Sequence, residues 1–142
     1  MASGKNQYWS QRLLNMFSGA TGTIATPMFL ALYTVAPTVS TAGTEVTAAG
    51  SYASFSITGN STNWPVISGS TTTLSSGTAF FNVTAATADW SSAALIVAAG
   101  LKDSGTNGAG NLYYFGSLTE SKIVYNGDTP SFAIGAVTIQ EL

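Results

Sequence analysis

The sequence has no cysteine and no histidine. Disulfide bridges, thiolate nucleophiles, imidazole bases and the usual zinc or copper ligands are therefore excluded together. Charge is scarce as well: Lys, Arg, Asp and Glu make up 7% of the 142 residues, against roughly 25% in ordinary soluble domains. With 4 basic and 6 acidic side chains the formal net charge is -2, too few cations to grip nucleic acid or an anionic membrane. Long apolar runs are missing too. The longest, 93–99, falls well short of the roughly 18 residues that a spanning helix requires. Lys5 and Arg12 stand before an uncharged stretch that includes 28–36, a shape close to a secretory signal. Asn15, Ser18, Gly19, Thr21, Gly22, Thr23 and Pro27 interrupt its apolar character, so no targeting segment is expected.

What is present instead is 20 Thr, 18 Ser and 15 Gly beside an ordinary 45% of hydrophobic residues. The hydroxyl residues take the places where Lys, Glu and Arg normally meet water, which predicts a neutral surface and favours strands over helices. The length suits one domain with one core.

Helical periodicity occurs only near the start, where Trp9, Leu13, Met16 and Phe17 fall at i, i+4, i+7 and i+8. One short amphipathic helix is expected, capped by Ser3 or Asn6 and ended by Gly19. Residues 1–20 then form a helical arm and 21–142 a β domain. The arm is either a lid on the sheet or a segment that docks on a neighbouring subunit, with Tyr8, Trp9, Leu13, Met16 and Phe17 as the candidate protein interface.

Beyond Pro27 the pattern becomes short strand-like runs separated by turn clusters. Residues 28–35 read as a strand. Residues 52–58 alternate, with Ala53, Phe55 and Ile57 on one face and Tyr52, Ser54 and Ser56 on the other. Residues 60–77 read as a long loop or weak hairpin around Trp64, and 78–83 as a further strand. Residues 93–101, apolar on both faces, belong in the centre of a sheet. The turn formers of 102–111 reverse the chain into 112–118, where neighbours Tyr113 and Tyr114 should point to opposite faces. Asn126-Gly127 matches a two-residue type I′ turn, and Phe132, Ile134, Ala136 and Thr138 share a last alternating face. The expected fold is a single all-β, jelly-roll-like sandwich with one short N-terminal amphipathic helix.

Candidate chemistry is thin. A glycosidase needs two facing carboxylates; of Glu45, Asp89, Asp103, Glu120, Asp128 and Glu141, the four from Asp89 to Asp128 lie where acceptor side chains close local turns. Serines lack a histidine base and no nucleophile elbow occurs. The loop 103–111 offers oxygen ligands but one carboxylate, too little charge for Ca²⁺, and its glycines fit neither phosphate-binding spacing. No catalytic residue, cofactor or metal is expected. Asn60-Ser61-Thr62 and Asn82-Val83-Thr84 match the glycosylation sequon, as chance allows in so Thr-rich a chain. Trp64 and Tyr114 are candidate exposed aromatic contacts, able to stack on sugar rings.

Several strings are more specific: ATADW at 86–90, GNLYYFGSLT at 110–119, the K-x-V-x-x-GD-x-x-SF-x-x-GA-x-T-I run over 122–139, and upstream LALYTVAPT at 30–38 and GTEV at 43–46. Through them the chain resembles small phage virion proteins commonly labelled tail fibre proteins, some of which look like head fibre or capsid decoration subunits. It departs from them at 51–54, where Ser-Tyr-Ala-Ser replaces a Gly-Tyr-Ala-Arg type sequence, and across 58–73. The resemblance implies a non-enzymatic structural protein of the virion: a multi-copy capsid decoration or head-surface subunit, or else a tail fibre or tail adaptor component contacting host glycan. Its implied partners are copies of itself and other virion proteins, the major capsid protein or tail proteins.

Overall fold

The computed structural model describes residues 4–47, 50–65, 71–73, 79–80 and 85–140. In chain order the elements are β1 (Gly4–Lys5), α1 (Gln7–Phe17), β2 (Met28–Val35), β3 (Thr44–Glu45), β4 (Phe55–Ile57), β5 (Thr71–Thr73), β6 (Ala79–Phe80), β7 (Ile96–Lys102), β8 (Leu112–Lys122), β9 (Ser131–Phe132) and β10 (Thr138–Gln140). The fold is a small, all-β, sandwich-like arrangement with one helix. A 6-stranded antiparallel sheet runs β1-β8-β7-β2-β3, with β4 also paired to β2; the pairs β5-β10 and β6-β9 form two small 2-stranded sheets.

The apolar runs land where expected. β2 coincides with the predicted strand, and β7 lies between β2 and β8 in the middle of the sheet. Because side chains alternate along a strand, Leu30 and Leu32 enter the main core with Ile96, Leu101, Tyr52, Ile57, Trp64 and Trp90. Ala31 and Tyr33 point the other way, into a smaller cluster with Ala98, Leu112 and Phe115.

Elsewhere local geometry overrides the sequence pattern. β7 begins at Ile96 because 90–93 form a 3₁₀ turn in which Ser91, Ser92 and Ala93 carry φ of 50°, 57° and 62°. Left-handed backbone costs an L-residue about 1–2 kcal/mol. It is held by the fully buried Trp90, whose backbone N–H donates to the Val124 carbonyl and whose indole donates to Gly50 O at 2.9 Å. The predicted alternation over 52–58 holds only from Phe55. Tyr52 is buried and Ala53 exposed, because Gly50 and Ser51 form a turn with positive φ and deliver the Tyr52 hydroxyl to Leu32 N.

At 126–127 the turn is not type I′: Gly127 has φ of 94° while Asn126 stays out of the left-handed region. The Asp128 N–H closes it onto Tyr125 O at 3.0 Å. The C-terminal alternation is broken by a turn at Ile134-Gly135, which leaves Ile134 62% exposed. Of the predicted strand 78–83, residues 79–80 form β6; 81–84, with the second sequon, lie outside the described residues.

Candidate functional site: an apolar helix end and a buried ionic network

Helix α1 starts at Asn6, whose side-chain oxygen accepts from Tyr8 N at 3.1 Å, and stops at Gly19, whose φ of 87° suits glycine. Its first turns pack on β8. Trp9 is 5% exposed, lies 5.1 Å from the Tyr113 ring and 6.3 Å from the Tyr114 ring, and donates its indole N–H to Tyr114 Oη at 2.6 Å. Tyr8 stacks on Tyr113 at 6.1 Å. Both tyrosines reach the same side because β8 shifts register between the Leu101 and Lys102 pairings, so Tyr113 and Tyr114 do not alternate as neighbours in a regular strand would. Burial pushes the Tyr113 hydroxyl pKa upward, although it accepts a hydrogen bond from Ala25 N.

The five residues of the candidate interface therefore divide. Trp9 belongs to the core, while Tyr8 and Leu13 are half-buried against it. Met16 is 46% exposed and Phe17 91%, and Leu14, which the periodicity did not single out, is 67% exposed. The predicted face thus turns inward at its start and outward at its end, where the last turn presents Leu14 and Phe17 three positions apart on the outer side. Arg12 sits on the other flank, its guanidinium donating to the Tyr8 hydroxyl and to Thr23 O.

The two candidate sugar-stacking aromatics are not free. Trp64 is 9% exposed and sits in the main core, and Tyr114 is half-buried beneath Trp9. Their apolar area is worth more against the sheet than in water, which removes the stacking faces that the composition suggested. Among the described acidic residues Asp103 and Asp128 close turns as expected, whereas Asp89 ties together two segments 37 positions apart. Asp89 accepts from Asn126 N, Asp128 from Tyr125 N, and Asp103 from both Asn111 N and its carboxamide. Glu120 instead pairs with Lys122 at 2.9 Å on the surface, and the hydrogen bond from Lys122 lowers its pKa. Asn60, in the first sequon, caps the turn at Thr62 and Asn63.

One site that sequence reasoning missed is ionic. Lys102 and Glu45 meet at 2.7 Å with side chains 3% and 4% exposed. All three ammonium N–H donors are used, on Glu45 Oε2, Thr106 O and Ala109 O. Glu45 also accepts from Gly108 N at 2.8 Å and from the Tyr52 hydroxyl at 3.1 Å, and that hydroxyl accepts from Leu32 N. Burial, with the Glu45 charge beside them, pushes the Tyr33 and Tyr52 hydroxyls far above the usual tyrosine range. The only hint in the sequence is that two of very few charges adjoin predicted strands.

A cavity of about 590 Å³ opens between the main sheet face and the C-terminal segment. Its walls include Leu30, Leu101, Phe132 and Ile139, and the charged side chains among its described lining residues, Glu120 and Lys122, are paired with each other. Among the described residues no three His, Cys, Asp or Glu side chains gather to hold a metal.

Compared with known protein families, residues 4–140 match the family model described as Podophage GP4 fiber I protein gp80. No curated protein matches the chain.

Proposed function

From its membership of the podophage GP4 fiber I protein gp80 family, which makes the chain a structural component of the phage virion, we propose that it is a non-catalytic fibre-type subunit present in several copies, joined to its neighbours through the exposed end of α1. The observation that carries this reading is the pair Leu14 and Phe17, large apolar side chains in water at the end of a helix anchored through its first turns. A surface with so few charges has little electrostatic self-repulsion and little desolvation penalty. Contact with other copies or with another virion protein is then driven by apolar area at roughly 25 cal/mol per Å², less the ordering entropy.

The family description favours a projecting fibre. The weakly charged surface equally suits the second reading, a decoration subunit lying over the head. Contact with host glycan through Trp64 and Tyr114 loses its support, because both rings are engaged within the protein. Quantitative mass spectrometry of purified virions separates the two placements: a few copies per particle fit a tail fibre, and hundreds fit the head. Absence from purified particles contradicts both.

A further inference from the structure

The sequence holds two Asn-Gly pairs, Asn107-Gly108 and Asn126-Gly127. Asparagine is among the chemically labile residues. A glycine after it leaves the next backbone nitrogen without a shielding Cβ. The two pairs are alike in local shape. Each glycine carries positive φ, 68° and 94°, and beyond the chain neighbours no atom lies within 4 Å of where a Cβ would stand. They differ in what holds the glycine N–H. Gly127 donates to the Ala86 carbonyl at 2.8 Å, an acceptor too weakly basic to take the proton. Gly108 donates to Glu45 Oε2 at 2.8 Å, within the reach of a general base for the proton it abstracts. The carboxylate is fixed in that orientation because its other oxygen accepts from the Tyr52 hydroxyl at 3.1 Å. The group that would leave is held as well, the Asn107 carboxamide donating to Val46 O. Gly108 itself is exposed, so water reaches the site.

We propose that Asn107-Gly108 is a self-modifying site, with Glu45 as the general base for intramolecular deamidation of Asn107. Gly108 N passes its proton to Glu45 and bonds to Asn107 Cγ. The bond from Cγ to the carboxamide nitrogen then breaks, and that nitrogen takes the proton back from Glu45 and leaves as ammonia. Water opens the cyclic imide at one carbonyl or the other, giving aspartate or isoaspartate. Because nucleophile and electrophile belong to adjoining residues, no encounter step is needed. The product turns a donor into an acceptor. A carboxylate oxygen then faces Val46 O, and a further acid enters the network whose cation is Lys102. The reaction loosens the tie of the loop 103–111 with time, and it belongs to a single copy, whatever the chain assembles with.

The test incubates the purified full chain at neutral pH and maps its peptides by electron-transfer fragmentation, which tells aspartate from isoaspartate. Asn107 should convert on the order of tenfold faster than Asn126, although Asn126 is the more exposed of the two. In urea the network is gone, and the two sites should react at similar rates. Glu45→Gln together with Lys102→Met removes the base and leaves no buried charge behind. It should bring Asn107 down to the rate of Asn126. Conversion of Asn126 as fast as Asn107 in the folded chain overturns the proposal. So does an Asn107 preference that survives in urea, or one that persists in the folded double variant. Should that variant fail to fold, the comparison of the folded chain with the chain in urea decides by itself.

Discussion

At the scale of single residues, the interior is polar where the sequence offers least warning. Glu45 and Lys102 are 57 positions apart, and neither stands in a motif, so only the fold brings them together. Replacing Lys102 by Met alone leaves the Glu45 carboxylate buried without its cation, and urea unfolding should record a loss of about 3–5 kcal/mol. The double replacement should lie much closer to wild type, because no charge is then stranded. The tyrosines around Glu45 make a second prediction. Their folded pKa values are raised, so the folded state keeps protons that the unfolded state releases. The stabilisation is complete below the unfolded value of about 10 and is lost as pH rises beyond it, by up to about 1.4 kcal/mol per pH unit for each group. Unfolding titrations from pH 9 upward check the sign. A stability that stays flat through about pH 11 contradicts the burial of these hydroxyls.

Among elements, those with strong periodic or continuous apolar signals are legible in the sequence: α1 with its Asn6 cap, β2, β7, and the β7-β8 hairpin. What escapes are places where one local conformation breaks the period. The register shift before Lys102 puts Tyr113 and Tyr114 on one side, the left-handed residues 91–93 delay β7, and the turn at 134–135 ends the C-terminal alternation. The pattern makes Trp64 and Tyr114 look exposed because alternation does not show that a helix or loop will cover a strand. The helix end is legible as amphipathic but not as divided, since burial there depends on how far the contact with β8 extends. Close packing at the sheet centre is testable through Gly100. A Cβ there would meet Leu112 Cδ1 at 2.7 Å, Tyr114 O at 3.1 Å and Tyr33 Cε2 at 3.2 Å. Gly100→Ala should therefore destabilise by about 1–3 kcal/mol despite the better strand propensity of alanine. Differential scanning calorimetry should show a lowered melting temperature, and an unchanged or raised one would mean that the β7-β8 register is wrong.

For the molecule as a whole, scarcity of charge and exposed apolar side chains point the same way. Leu14, Phe17, Val35, Val39 and Ile134 are each more than half exposed, and so few charges surround them that association should be governed by apolar contact. Raising ionic strength should leave assembly unweakened, in contrast to interfaces held by exposed ion pairs. Light scattering across a salt series reads this directly.

The α1 contact is tested most directly by incorporation into particles. Leu14→Asp with Phe17→Asp changes exposed positions and leaves Trp9 in place, so the sheet and its core should remain folded by circular dichroism. Phage lacking the gene are complemented with this variant or with wild type, and purified virions are quantified for the chain. The account predicts a folded variant that is depleted from particles by at least about tenfold, the loss expected when apolar hot spots become charged. Incorporation equal to wild type would contradict it.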